Sequence, residues 1–278
     1  MAANPKQTDV CRLCGGTARL VFQKTLMRKH SVGFFRCSEC HCQQTEEPYW
    51  LEQAYDPLIN ATDTGAVHRC IWFSWEVSAF LACFGVSPDV PCLDWGGGNG
   101  LFVRIMRDCG FNFFLQDKYV KNHYALNLTT DDHPQQDYVV STCFEIFEHL
   151  PNPLTDLSAV FTPHVDLVIG STAVFNDQGA DWPYLAEQGG QHIFFYSAAG
   201  LELIARHFGM RLVSAGGFHI FFREAPKTLS YGAENLRNFV ELLQNPGTRL
   251  HQGVNRMINP PFSYTTADSE VCWAKAFA

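Results

Sequence analysis

A long apolar run is missing from this 278-residue sequence. Its most apolar extended stretch, Ile71 to Val86, contains Glu76 and falls short of the roughly 20 apolar residues that a membrane-spanning helix needs. The opening residues, MAANPKQTDV, hold no apolar core of the kind a secretory leader requires, so no signal peptide is expected. Both absences point to a cytoplasmic protein without a membrane partner. Positive charge is scarce as well: 20 Lys and Arg stand against 28 Asp and Glu, a formal net charge of -8. A non-specific nucleic-acid binder needs a basic excess, so that class is disfavoured, although a local basic patch is not. The bias of a disordered chain is also absent. With 46% hydrophobic and 14% aromatic residues the chain can bury a sizeable core. Its length suits one α/β domain with a small additional module.

Cysteine, by contrast, is plentiful. In a reducing compartment the eleven cysteines are expected to be thiols and metal ligands rather than disulfides. Cys11-x-x-Cys14 and Cys37-x-x-Cys40 flank a β-rich run that includes Leu20, Val21, Phe22, Val32, Phe34 and Phe35. Two such knuckles on a small hairpin can set four thiolates tetrahedrally around zinc, supplying folding energy that so small a module lacks in its own core. The gap between the knuckles is slightly longer than usual, His41 and Cys42 offer replacement ligands, and four unliganded thiols are the alternative. A closed four-cysteine site leaves no position for chemistry, so the zinc is expected to be structural. The module's basic residues, Arg12, Arg19, Lys24, Arg28, Lys29 and Arg36, form no dense run. Docking of a protein partner or capture of a substrate is therefore expected of it. The connector that follows, Thr45 to Thr64, holds Pro48, Tyr49, Trp50, Tyr55 and Pro57, aromatics that suit either a packed linker or the wall of a pocket. A helix is expected over His68 to Phe84, with Ile71, Trp72, Trp75, Ala79 and Ala82 on its buried face.

The stretch from Val90 to Gly110, VPCLDWGGGNGLFVRIMRDCG, organises the rest. It reads as a short buried strand ending in Asp94, a turn containing Gly96, Gly97, Gly98 and Gly100, and a helix closed by Gly110. The new helix offers unpaired N–H groups and a positive dipole end to a carboxylate or phosphate. A dinucleotide fingerprint GxGxxG from Gly96 would place glycine at position 101, where Leu101 stands. The spacing present is GxGxG, preceded by an acid. It resembles motif I of the class I S-adenosylmethionine (SAM) dependent methyltransferases. The resemblance implies a Rossmann-like α/β sheet and SAM as cofactor, with Asp94, Gly96, Gly97, Gly98 and Gly100 around it. A second strand, Phe111 to Leu115, leads to Asp117, which lies about 20 residues after the glycines, where such folds carry a ribose-binding carboxylate.

Further strands are expected over Asp137 to Cys143 and Val165 to Ser171, and near Arg211 to Ala215 and Phe218 to Arg223. Helices are expected over Ala198 to Phe208 and Ala233 to Leu243. Directly after Asp137 to Cys143, the position of the fourth strand in the branch it resembles, comes Phe144-Glu145-Ile146-Phe147-Glu148-His149-Leu150, with Pro151 and Pro153 beyond it. Glu145, Glu148 and His149 stand at i, i+3 and i+4, the spacing of one face of a helical turn. The motif is similar to that of the methyltransferase branch that includes quinone- and sugar-methylating enzymes. Gln191-His192-Ile193-Phe194-Phe195-Tyr196-Ser197 is similar to another stretch of the same branch, in which the preceding loop forms an acceptor-side wall. The resemblance also puts Phe144 at the cofactor.

The combination of ribbon and methyltransferase domain resembles enzymes of bacterial polysaccharide and deoxysugar pathways. That implies O- or C-methylation of a small-molecule acceptor, a sugar or sugar nucleotide. His149 and His192 are the candidate bases because histidine titrates near neutrality, with Glu145 and Glu148 orienting them or binding acceptor hydroxyls. The same four residues resemble the metal-binding quartet of small-RNA 2′-O-methyltransferases, which implies a second, divalent metal. The acidic chain and the lack of an RNA-binding module count against RNA as the acceptor. A SAM-binding scaffold without activity is the other alternative. The expected organisation is a zinc ribbon over 1–47, a connector and helix over 48–89, a SAM-binding domain over 90–225 and an extension over 226–278.

Overall fold

The computed structural model describes residues 7–55, 64–258, 260 and 263–276. Pro57 of the connector lies outside the described residues. In chain order the strands are β1 (Thr8–Val10), β2 (Thr17–Leu26), β3 (His30–Cys37), β4 (Gln43–Thr45), β5 (Pro91–Trp95), β6 (Asn112–Gln116), β7 (Val140–Phe144), β8 (Leu167–Ser171), β9 (Phe194–Phe195), β10 (Arg211–Ala215) and β11 (Phe218–Phe222). They form a five-stranded sheet in the order β1-β2-β3-β4-β9 and a six-stranded sheet in the order β10-β11-β8-β7-β5-β6. The chain divides into two compact units. One comprises Met1–Asp63, Glu145–Phe161 and Gly170–Phe221, the other Thr64–Phe144, Thr162–Ile169 and Phe222–Ala278.

The first unit holds the whole five-stranded sheet. Its antiparallel β2/β3 hairpin turns through Met27 and Arg28, both at positive φ (50° and 61°), the paired conformation that matches the right-handed twist of the flanking strands. β4 pairs antiparallel with β9, so the cysteine-bearing hairpin shares a sheet with a strand from the far half of the sequence. Leu26, Val32, Phe34, Trp50, Phe175, Leu185, Ile193 and Phe195 form an apolar cluster in this unit. Trp50 is fully buried there and donates Nε1–H to the Gly190 carbonyl at 2.8 Å, which makes that connector aromatic part of the packing.

In the second unit β5 pairs in parallel with β6 on one side and with β7 on the other. The chain thus leaves β5 in one direction and returns on its other flank, which makes the β5/β7 boundary a topological switch point. Ligands of open α/β sheets bind outside the carboxyl ends of the strands at such a point. The architecture is the expected Rossmann-like α/β class.

One expectation about helices needs correction. The Ala66–Cys83 helix lies where it was expected, but its buried residues are Phe73, Ser74, Glu76, Val77, Ser78, Ala79, Phe80 and Leu81; of the expected set only Ala79 is among them. The cause is a cover that the helix's own periodicity does not encode. The Pro246–Ile258 helix packs against it so closely that Gly253 has no room for a Cβ beside the Trp75 backbone. That helix also brings Arg249 to pair with buried Glu76. Helical structure also continues past the last expected helix: Ala233–Gln244 is followed by Pro246–Ile258 and Thr265–Ala276.

Candidate functional site

β5 ends at Trp95, and the glycine turn follows at once. Gly96, Gly98 and Gly100 have positive φ of 73°, 60° and 84°, a region that favours glycine. Gly97 is required for a different reason: a Cβ there would run into the Asp94 carboxylate and the Leu115 side chain. The Leu101–Asp108 helix starts from Gly100, and Gly110 ends the turn after it at φ 85°. The chain here forms the expected strand, turn and helix at the switch point of the sheet.

Asp94 is buried beneath the turn, 2% exposed, and accepts a hydrogen bond from Thr142 Oγ1 at 2.6 Å across the β5/β7 pair. Burial pushes its carboxyl up to about 7; Thr142 opposes the rise and Asp117 adds to it. The acid therefore supports the turn from below. Asp117, just past β6, accepts from the Gly98 amide at 2.8 Å through Oδ2, and from the Tyr119 and Val120 amides at 2.8 and 2.7 Å through Oδ1. It pins the glycine turn to the loop after β6. The Phe144 ring stacks on Phe73 at 4.5 Å and meets Phe102 edge-on at 5.2 Å, an apolar floor at the end of β7.

The first unit contains a second constellation. The expectation that Glu145, Glu148 and His149 share one helical face is corrected. Only Phe147–His149 are helical, as a single 3-10 turn, and Glu145 stands before it at φ 51°. The residue that joins them is Tyr184. Its hydroxyl lies 2.7 Å from Glu148 Oε1, 3.3 Å from Glu145 Oε2 and 3.2 Å from Thr172 Oγ1. Glu145 Oε1 accepts from Ser171 Oγ at 2.7 Å. Glu148 is fully buried, and its Oε2 has no hydrogen-bond partner among the described residues.

The two histidines face each other edge to plane with ring centroids 5.0 Å apart. His149 Nδ1 lies 3.1 Å from the Gln191 carbonyl and His192 Nδ1 lies 2.6 Å from the Tyr184 carbonyl. A carbonyl only accepts, so each Nδ1 carries a proton. Burial, with His192 as the smaller cause, pushes the His149 imidazole down to about 3. The expectation that His149 titrates near neutrality is therefore not met; it is a neutral nitrogen donor at working pH. The Tyr55 ring is 6.4 Å from that of His149, which brings one connector aromatic to this cluster. Tyr49 is 62% exposed.

Elsewhere in the same unit, Cys11, Cys14, Cys37 and Cys40 bring their Sγ atoms within 4.8 Å of one another. Cys11 and Cys40 are 3.6 Å apart and Cys14 and Cys37 3.4 Å. Thiolates around a tetrahedral zinc at about 2.3 Å sit about 3.8 Å from each other, so the set fits that ion. Each knuckle is followed by a residue at positive φ, Gly15 at 76° and His41 at 59°. Amides fold back onto the sulfurs, Gly16 onto Cys14 and Glu39 onto Cys37, both at 3.4 Å. Cys42 stands outside the set, with its Sγ accepting from the Ser197 amide at 3.4 Å, and His41 is exposed.

The sequence placed Tyr184 only within the acceptor-side loop, with no tie to the glutamates, and gave no role to Ser171 or Thr142. Nothing in local spacing ties a loop tyrosine to two carboxylates some 40 residues away, or a strand threonine to an acid one strand over; both depend on the three-dimensional pairing.

Residues 77–215 match the model of a family described as a methyltransferase domain. No curated protein matches the chain. Among solved structures, TnmH is 14% identical with a TM-score of 0.40, over 62% of this chain and 60% of its own. Magnesium protoporphyrin IX methyltransferase (ChlM) from Synechocystis PCC 6803, with bound SAH, is 16% identical with a TM-score of 0.41, over 64% of this chain and 97% of its own. The plantazolicin methyltransferase BpumL, in complex with SAH, is 15% identical with a TM-score of 0.45, over 75% of this chain and 90% of its own. At these scores the structural likenesses add nothing to the family match. This chain spans about three fifths of TnmH.

Proposed function

This protein belongs to the methyltransferase-domain family whose model covers half of the chain, and from that premise we propose that it methylates a small-molecule acceptor of the sugar or sugar-nucleotide class, on oxygen or carbon. It is a SAM-dependent methyltransferase. The observation that carries the reading is the turn at the β5/β7 switch point, where Gly96, Gly98 and Gly100 adopt positive φ and Gly97 leaves no space for a side chain above Asp94. Gly96, Gly97, Gly98 and Gly100 bring backbone close to the cofactor, Asp117 and Phe144 border it, and Asp94 holds the turn in shape.

SAM supplies a methyl group made electrophilic by its sulfonium; its transfer to a hydroxyl forms a C–O bond, breaks the C–S bond, leaves a neutral thioether and releases the hydroxyl proton to a base. The chain's part is to hold the acceptor in line and to receive that proton. His149, His192, Glu145 and Glu148 are the acceptor-side groups of this reading, supported by their convergence around Tyr184. Alanine at His149 or His192 is expected to abolish turnover while SAM affinity stays largely intact. A large loss of affinity instead would assign the histidines to the cofactor.

The four cysteines are read as a structural zinc site, and the ribbon, with few basic residues, as a docking element for a protein partner. A cytoplasmic location, with neither nucleic acid nor membrane as partner, belongs to the same reading; among the described residues no helix is long and apolar enough to cross a membrane. A second reading places a divalent ion on the acceptor side. The convergence of Glu148, His149 and His192 within 4.8 Å favours it.

A further inference from the structure

We infer that Arg12 is a positioning residue of the acceptor-side site: from inside the first cysteine knuckle it holds Ile193, and through Ile193 it sets His192 against Glu148. The inference rests on the reading of Glu148 and His192 as acceptor-side groups. It deepens that reading by giving the cysteine module a task within the site, independent of any docked partner.

The coupling element is the stretch 192–197. Its strand, β9, has only two residues, Phe194 and Phe195, which pair with Gln44 and Gln43 of β4. So short a ladder fixes little by itself, and side-chain hydrogen bonds decide where the stretch sits. Arg12 lies between Cys11 and Cys14, and its Nη2 donates to the Ile193 carbonyl at 2.6 Å; the Thr45 amide donates to the same oxygen at 3.0 Å. The charged donor makes the Arg12 bond the shorter and stronger of the two. The knuckle is in turn held to β4. Buried Gln44 accepts from the Arg12 amide at 2.8 Å through Oε1 and donates Nε2–H to the Val10 carbonyl at 2.9 Å. The second knuckle grips the other end of the stretch. Ser197 donates Oγ–H to the Cys40 carbonyl at 2.5 Å, and its amide donates to Cys42 Sγ at 3.4 Å.

On its other side the stretch carries the site. The Ile193 amide donates to the Glu148 carbonyl at 2.8 Å, and the Tyr196 hydroxyl donates to the Phe147 carbonyl at 3.0 Å. Ile193 thus takes Arg12 at its oxygen and gives to Glu148 at its nitrogen, and His192 is the residue before it. His192 Nδ1 reaches the Tyr184 carbonyl at 2.6 Å, and the Tyr184 hydroxyl donates to Glu148 Oε1 at 2.7 Å, which closes a ring of bonds. Releasing Ile193 therefore moves a piece of backbone that both acceptor-side groups share. Groups that must stay in line with a reacting centre tolerate little movement: a displacement of about 1 Å can cost about 100-fold in rate.

The test compares the full-length wild type with Arg12→Met by NMR of isotope-labelled protein. In Arg12→Met the Ile193 amide is expected to exchange with solvent at least about 10-fold faster, the size of a lost charged hydrogen bond, and the His192 ring signals are expected to shift. Arg12→Lys keeps a cationic donor and should restore both in large part. Two controls separate positioning from folding. The amide signals of Gly16 and Glu39, which fold onto the knuckle sulfurs, and the ring signals of His133, held to the Asn127 carbonyl in the second unit, should stay as in wild type. If Arg12→Met does not fold, Arg12→Gln carries the same arm. Unchanged Ile193 exchange and His192 signals overturn the inference. So does a change that extends to the control signals, or one that Arg12→Lys fails to reverse. Turnover of His192→Ala decides the underlying reading separately: if it is retained while the NMR changes appear, Arg12 still places the stretch and the acceptor reading falls.

Discussion

Asp94 is an acid placed where water does not reach, and its protonation is coupled to folding. An aspartate in the unfolded chain titrates near about 4, whereas burial holds Asp94 at about 7 in the folded state. Between those values the folded protein keeps a proton that the unfolded chain has released. Raising the pH through that window therefore lowers stability, by the linkage between proton binding and folding. In cofactor-free protein, Asp94→Asn should gain stability relative to wild type on going from about pH 5 to about pH 8, read from denaturation midpoints; parallel pH curves would refute the assignment. Tyr184 is the second residue whose setting makes a prediction. Its hydroxyl satisfies buried Glu148 at 2.7 Å. Tyr184→Phe leaves that oxygen without its donor and should cost about 1–3 kcal/mol in chemical denaturation; a change near zero would mean that another donor takes over. At this scale the sequence was legible in part. The glycines were identifiable because backbone geometry demands them, whereas Asp94's burial came from a neighbouring strand and Tyr184's role from a loop folding back onto Glu148.

Among the elements, the helix that leaves the glycine turn is held by the C-terminal helix. Arg107, 4% exposed, gives its guanidinium to Asp268 through Nε at 2.6 Å and Nη2 at 2.7 Å, and Arg104 reaches the same carboxylate at 2.8 Å. The Tyr264 ring lies 4.1 Å from the Arg107 guanidinium. Asp268→Ala leaves a buried cation uncompensated and should destabilise the second unit by about 3–5 kcal/mol. It should also weaken cofactor binding, because the helix concerned starts at Gly100; a thermal and calorimetric comparison with wild type checks both effects. Strand, turn and helix from Pro91 to Asp108 were readable because they are local: a short buried run, punctuation and caps lie within one window. The buried side of the Ala66–Cys83 helix was not, since the Pro246–Ile258 helix that covers it lies in a segment with no motif to identify its partner.

At the level of the whole molecule, the compact units interleave along the chain, and β9 from the second half of the sequence completes the sheet that begins at Thr8. A module boundary drawn from composition alone follows the chain, while β-pairing does not. The α/β class was legible, and with it the strand, glycine turn and helix, because a single local motif specifies both. Zinc removal probes the first unit: metal analysis should find one zinc per chain held by Cys11, Cys14, Cys37 and Cys40, and Cys37→Ser should lose it together with stability, as structural zinc supplies folding energy. Less than about one zinc per chain would refute the ribbon. Binding of the methyl donor at the turn from Gly96 to Gly100 is measured by calorimetry of the protein with SAM and S-adenosylhomocysteine. Saturable binding of both at one site per chain, abolished by Gly98→Val, is expected; failure of both to bind would rule the site out.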